Sequence, residues 1–150
     1  MEQAIALSIE NVRSGSGGPF AALVVRNGSV LATGTNQVTA LLDPTAHAEV
    51  VAIRAACQKA GGFQLIDCVL YTTCEPCPMC MGAIYWARLG KVYYANTRED
   101  AGRIGFDDSL IYDQLALPPG ERKIPMVQLM REQALEAFRE WERSPAKVKY

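Results

Sequence analysis

One histidine and a tight group of cysteines set the chemistry open to this chain. His47 is the only imidazole among 150 residues, which excludes any site built on two histidines, the H-E-x-x-H zinc motif among them. Of five cysteines, Cys74, Cys77 and Cys80 fall within seven positions. An odd number crowded in this way argues against a disulfide framework and for metal binding or redox chemistry by reduced thiols. Zinc suits thiolate sulfur combined with imidazole nitrogen, and a catalytic zinc takes three protein ligands and keeps its fourth position for water. His47, Cys77 and Cys80 make three. Two thiolates and a neutral imidazole balance the ion's charge and leave it able to bring the pKa of water to about 7. Glu49, two residues beyond His47, is then the carboxylate that moves protons. Two positions along a regular helix stand roughly 200° apart. If both residues are helical, Glu49 shares no lateral face with His47 and the substrate must approach over the helix end. Cys74 continues the spacing and opens an alternative: as a fourth ligand it would close a structural site and leave Glu49 without a task. C-x-x-C by itself would also suit a redox pair. Cys57 and Cys68 read as core residues.

The elements that must hold these groups follow from periodicity and breakers. Ala4, Ile5, Ile9 and Val12 recur at helical spacing from Met1 to about Ser14, and the run Ser14-Gly15-Ser16-Gly17-Gly18-Pro19 ends that helix. Phe20 to Val25 and Ser29 to Thr33 form a hairpin across Asn27-Gly28, a pair that tolerates positive φ. After Asp43-Pro44, Thr45 is placed to cap a helix from Ala46 to Lys59 that carries His47 and Glu49 and stops at Gly61-Gly62. Cys68 to Thr72 is an apolar run fit for a buried strand, and it feeds the cysteines and then an apolar stretch from Met81 to Ala87. The thiols therefore sit at a strand-to-helix junction, with Pro76 suited to the helix entry. Near that helix's positive end the thiols would ionise more readily. Lys91 to Tyr94 and Ile124 to Leu129 read as strands, and Leu110 to Leu117 as a helix. Arg131 to Arg143 is a helix with Ala134, Leu135, Phe138 and Trp141 along one side. Strands alternating with helices predict an α/β layered domain, the initial hairpin adding antiparallel pairing to an otherwise parallel sheet.

Composition bounds the rest. Hydrophobic residues at 49% and charged ones at 21% allow one ordinary core and give no case for disorder. A formal charge of −1, from 15 basic and 16 acidic side chains, lacks the footprint of a strong nucleic-acid binder. The apolar run Ala4 to Leu7, flanked by Glu2 and Glu10, is neither signal peptide nor membrane span, so a cytoplasmic protein without membrane partners is expected.

His47-Ala48-Glu49 followed by Pro76-Cys77-Pro78-Met79-Cys80 matches the H-x-E and P-C-x-x-C signature of zinc-dependent nucleobase deaminases. Gly17 to Phe20, Thr35-Asn36, Asp43 to Glu49, Cys74 to Cys80, Gly82 to Arg88, Gly105 to Ser109 and Lys149-Tyr150 extend the match. Across nearly its whole length the chain resembles the cytidine deaminase superfamily; the segments from Ala95 to Ala101 and from Leu115 to Arg122 add nothing. The Gly105-Phe106-Asp107-Asp108-Ser109 run and the terminal Tyr150 resemble the bacterial branch that acts on guanine. That resemblance implies a single three-layer α/β/α domain over residues 1–150 with a mixed five-stranded sheet. It also implies a homodimer that exchanges C-terminal segments, so that one chain's tail covers its partner's site. Implied too are Zn2+ as the cofactor, with no organic one, and substrate contacts from Phe20, Asn36, His47, Trp86, Asp108 and Tyr150. The Asp108 assignment has a physical basis: guanine presents donors at N1 and the 2-amino group, where adenine presents an acceptor at N1. The reaction implied is hydrolytic attack at C2 of guanine to give xanthine and ammonia, Glu49 serving N3 and then the departing amine. Three rivals stand beside it: a nucleoside deaminase acting on guanosine, a tRNA adenosine deaminase, and a noncatalytic zinc-stabilised module.

Overall fold

The computed structural model describes all 150 residues. In chain order the elements are α1 (Glu2–Arg13), β1 (Ala21–Arg26), β2 (Ser29–Thr35), α2 (Val38–Leu41), α3 (Ala48–Ala60), β3 (Cys68–Cys74) and α4 (Pro78–Trp86). Then come β4 (Lys91–Asn96), α5 (Arg98–Arg103), α6 (Ser109–Ala116), a 3-10 turn at Pro119–Glu121 and α7 (Arg131–Arg143). Two compact units result, residues 1–108 and residues 109–150.

The first unit is built on a four-stranded sheet in the order β2-β1-β3-β4. Asn27 and Gly28, both at positive φ, turn β1 into β2 as the hairpin requires. β1 runs antiparallel to β2 and also to β3, so parallel pairing is confined to β3 and β4. The expectation of an otherwise parallel sheet is corrected accordingly. A fifth strand at Ile124 to Leu129 does not form: those residues are coil, and Ile124, Val127 and Leu129 are exposed. An apolar run becomes a strand only where an edge receives its hydrogen bonds, and within the chain nothing pairs with this one.

Ala21 to Val24 are all buried, so β1 is covered on both faces. Ala22, Val24 and Leu70 face one core with Ala48, Ala52 and Ala56 of α3 and Ile84 of α4, while α1 packs on the sheet as well. Small residues at i, i+4 and i+8 let α3 press flat on β2. Gly34 completes that approach, since a Cβ there would stand 2.3 Å from the Ala48 carbonyl oxygen and 2.5 Å from the Ala52 nitrogen. The sheet therefore fixes the first turn of α3, where Glu49 sits.

α1 buries a different stripe from the one its apolar residues suggest. Ala4, Ser8 and Asn11 point inward, whereas Ile5, Ile9 and Val12 are exposed. Asn11 earns its inward position by hydrogen bonding, because its Nδ2 donates to the carbonyls of Gly18 and Asn36 at 2.9 and 3.0 Å. The second unit contains α6, the 3-10 turn and α7. There Arg122 Nε donates to the Leu117 carbonyl at 3.1 Å and the Lys123 amide donates to Gln114 Oε1. No residue from 109 to 150 is buried. No helix of the chain is long and apolar enough to cross a membrane.

Candidate active site

Two helix N-termini meet at one point. His47 is the N-cap of α3, with φ −69° and ψ 153°, and Cys77 is the N-cap of α4, with φ −64° and ψ 169°. Each is extended, and each still has its carbonyl accept the first helical bond, from Val51 N and Met81 N at 2.9 Å. This corrects three expectations. His47 lies just outside the helix, so the 200° separation from Glu49 does not apply and both side chains reach the same space. Pro78, not Pro76, occupies the first helical turn. Thr45 does not cap: its amide and hydroxyl both donate to Asp43 Oδ1, at 2.8 and 2.7 Å, in a turn that delivers the chain to His47.

The ligand atoms of His47, Cys77 and Cys80 lie within 4.8 Å of one another. His47 Nδ1 stands 3.5 Å from Cys77 Sγ and 3.6 Å from Cys80 Sγ. Zinc bonds of about 2.0–2.1 Å to nitrogen and 2.3 Å to sulfur, set at the tetrahedral angle, put N and S about 3.6 Å apart. The donor set and its spacing both fit the ion. Cys74 is outside the group. Its thiol donates to the Thr97 carbonyl at 3.5 Å, and burial pushes it up to about 11. No fourth sulfur joins His47, Cys77 and Cys80 in the cluster.

Electrostatics set the two thiols of the cluster apart. Cys77 is held well below the ordinary thiol range by its contacts with Cys80 and His47, while Cys80 is pushed up beside Cys77 and Glu49. His47 is raised chiefly by its contact with Cys77. Glu49 lies in the first turn of α3 and is only 5% exposed; burial raises its carboxyl above the usual range. Its Oε2 accepts from Cys80 Sγ at 3.4 Å and its Oε1 from Thr72 Oγ1 at 3.0 Å. A desolvated carboxyl beside metal-ligating atoms is poised to take up and release a proton.

Around this centre the purine contacts implied by the sequence divide. Asn36 is buried at the end of β2, and its Oδ1 accepts from the Gly18 and Val38 amides at 3.4 Å. Gly17 permits that loop, since a Cβ there would fall 2.1 Å from the Asn36 carbonyl oxygen. Phe20 packs edge-on against Phe106, with ring centroids 4.9 Å apart. Asp108 is near enough to raise His47, and its own carboxyl is raised first by desolvation and then by Cys77. Phe20, Asn36 and Asp108 thus belong to the first unit together with the cluster. Trp86 is the last residue of α4, eight positions beyond Pro78 and so about 12 Å along the axis from the end that carries Cys77. Tyr150 lies in the second unit and is exposed.

Sequence reasoning missed Asn11 and Thr72, two buried polar residues that steady the site. Each had a signal: a lone amide on the inward stripe of a helix, and a hydroxyl inside an apolar strand.

Paired helix N-termini offering one imidazole and two sulfurs beside a buried carboxyl define a zinc deaminase centre. The family model for the cytidine and deoxycytidylate deaminase zinc-binding region matches residues 1–96, and the chain belongs to that family. Among its relatives, guanine deaminase of Bacillus subtilis is 50% identical over 150 residues, covering 100% of this chain and 96% of the relative. The crystal structure of a Bacillus subtilis guanine deaminase superposes with a TM-score of 0.97, covering 99% of this chain and 95% of that one. The guanine deaminase structure from Nitrosomonas europaea, 30% identical, covers 91% and 69% with a TM-score of 0.67. The tRNA-specific adenosine deaminase of Aquifex aeolicus is 42% identical over 77 residues, 51% of each chain.

Proposed function

We infer that the chain catalyses zinc-dependent hydrolytic deamination of guanine, converting guanine and water to xanthine and ammonia. The observation that carries this conclusion is the His47–Cys77–Cys80 cluster with Glu49 bonded to its edge, in a chain matching a guanine deaminase from end to end. His47, Cys77 and Cys80 would hold the zinc. When bound, the ion supplies Lewis acidity that makes a hydroxide nucleophile available near neutral pH.

The chain's own residues do the rest. Glu49 takes the proton of the attacking water and passes it to purine N3, where it stays in xanthine. It then collects the proton of the new C2 hydroxyl and hands it to the amine, which leaves as ammonia. Asp108 accepts from the guanine donors at N1 and the 2-amino group, a pairing adenine cannot offer because its N1 is an acceptor. Asn36 has its Oδ1 engaged by backbone amides, so its Nδ2 is the group that faces a purine acceptor. Phe20, braced by Phe106, offers a ring face to the base.

Trp86 and Tyr150 complete the contact set through a homodimer in which C-terminal segments exchange. Supporting this is the apolar surface the single chain leaves open. Phe138 and Trp141 are exposed on α7, Tyr85 and Trp86 are exposed on α4, and β4 leaves one edge of the sheet unpaired with Tyr94 exposed. Surfaces of this kind mark association sites. Five cysteines, all free, suit a cytoplasmic enzyme of purine metabolism.

Ammonia release measured over guanine, guanosine, adenine, cytosine, cytidine and an RNA hairpin tests the assignment. Guanine alone should turn over, and a chelator should abolish it. Faster turnover of guanosine or of the hairpin would overturn it.

A further inference from the structure

We propose that Thr72 is a positioning residue for proton transfer: its hydroxyl anchors one oxygen of Glu49 so that the other is presented to the reacting atoms. This rests on Glu49 being the general acid and base. Thr72 is fully buried on β3, in register with Ala22 of β1 and Tyr94 of β4. Side chains two apart on a strand share a face, so Thr72 points with Leu70 toward α3, where the core of Ala48 and Ala52 lies. Its Oγ1 donates to Glu49 Oε1 at 3.0 Å, and Oε2 faces Cys80 Sγ at 3.4 Å. The two carboxylate oxygens therefore have different surroundings, one tied to the sheet and one turned to the ligand cluster.

That division matters because the terminal torsion of a glutamate is broad and two-fold, so a carboxylate held at one end only turns easily. Catalytic groups act at full strength only when a supporting hydrogen bond locks them within a few tenths of an ångström. A valine in place of Thr72 has much the same shape but no donor, and would leave Oε1 buried without a partner. A misplacement of this order costs up to about 100-fold in rate while leaving binding intact.

Thr72→Val, Thr72→Ser and Thr72→Ala should be compared with wild type for guanine kcat and KM, zinc content, thermal midpoint and calorimetric affinity for xanthine. The expected result is a kcat lowered about 10- to 100-fold in Thr72→Val. KM, zinc content and xanthine affinity should stay as in wild type, and Thr72→Ser, which keeps the hydroxyl, should recover most of the loss. A kcat unchanged in Thr72→Val overturns the proposal, as does Thr72→Ser impaired as deeply as Thr72→Val, or KM and xanthine affinity worsening in step with kcat. If Thr72→Val fails to fold, the Ser and Ala variants decide, since both lack the methyl and only Ser has the hydroxyl: equal kcat values overturn the proposal. Glu49→Gln turning over guanine at the wild-type rate would instead remove the acid–base reading beneath it, a result the Thr72 variants cannot mimic.

Discussion

Residues 1–108 and residues 109–150 both carry large apolar side chains and come to opposite ends. Every buried residue of the chain lies in the first stretch and none in the second, although the second carries Leu110, Leu129, Phe138 and Trp141. Burying a side chain such as Leu65, Leu70 or Val24 contributes about 1.5–3 kcal/mol, so the first unit has its own cohesion and can hold ligating atoms within a fraction of an ångström. The second unit has local bonds and i,i+3 ion pairs, Arg139–Glu136 and Arg143–Glu140 on α7, whose exposed geometry adds little. The lesson is a division of labour. Chemistry is built where the chain can pack against itself, and the portion that cannot do so keeps its apolar side chains exposed.

The strongest blow to this contrast would be a chemical centre that survives damage to the first unit. Cys77→Ser removes one of three donors from the cluster, and zinc content and guanine turnover should both fall below detection while the reduced chain keeps its helical circular dichroism. Turnover persisting in this variant would mean that the cluster is not the centre. Next in size, Glu49→Gln should retain its zinc and lose about 10²- to 10⁴-fold in kcat, the range for a general acid–base group. A smaller loss would shift the proton work to another residue.

On the other side, the proposed homodimer predicts that Phe138→Ala with Trp141→Ala sediments as a monomer in analytical ultracentrifugation at micromolar concentration where wild type sediments as a dimer. The thermal transition of the first unit should move little. On the proposed exchange of C-terminal segments, guanine KM should rise several-fold. An unchanged sedimentation coefficient would deny α7 its role. The smallest effect belongs to a cap at the margin of the first unit. Thr97 and Asp100 form a reciprocal capping box on α5, and Thr97→Ala should cost about 1 kcal/mol in denaturant unfolding. The backbone bond from Thr97 holds Asp100 below the ordinary carboxylate value. Its contribution is therefore complete above the unfolded Asp pKa and is lost as pH falls through the lower folded value. The difference in thermal midpoint between wild type and Asp100→Asn should accordingly be steady near neutrality and vanish in strong acid.

How much of this could be read beforehand varies by element. The hairpin at Asn27-Gly28, the helix from Arg131 to Arg143 and the strand beginning at Cys68 each carry a local signal, a turn dipeptide or a period, that tertiary contacts did not override. α5 has a legible start in Thr97-x-x-Asp100, a capping signal set close to Gly102 and Gly105 that interrupt the pattern. α1 misled because apolar spacing alone favoured Ile5, Ile9 and Val12, whereas the inward stripe was decided by what Asn11 had to bond.

The donor types and their spacing along the chain were enough by themselves to single out one imidazole, two sulfurs and a carboxylate as a zinc-site candidate, because residue softness and charge are local properties. Three things were decided only in three dimensions. His47 and Cys77 are caps rather than helical residues, Cys74 turns to Thr97, and Thr72 meets Glu49 across 23 positions of chain. The physical reason is that a side chain's direction and its hydrogen-bond partner are set by which faces a sheet and its helices bury together, and that is a property of the packed whole.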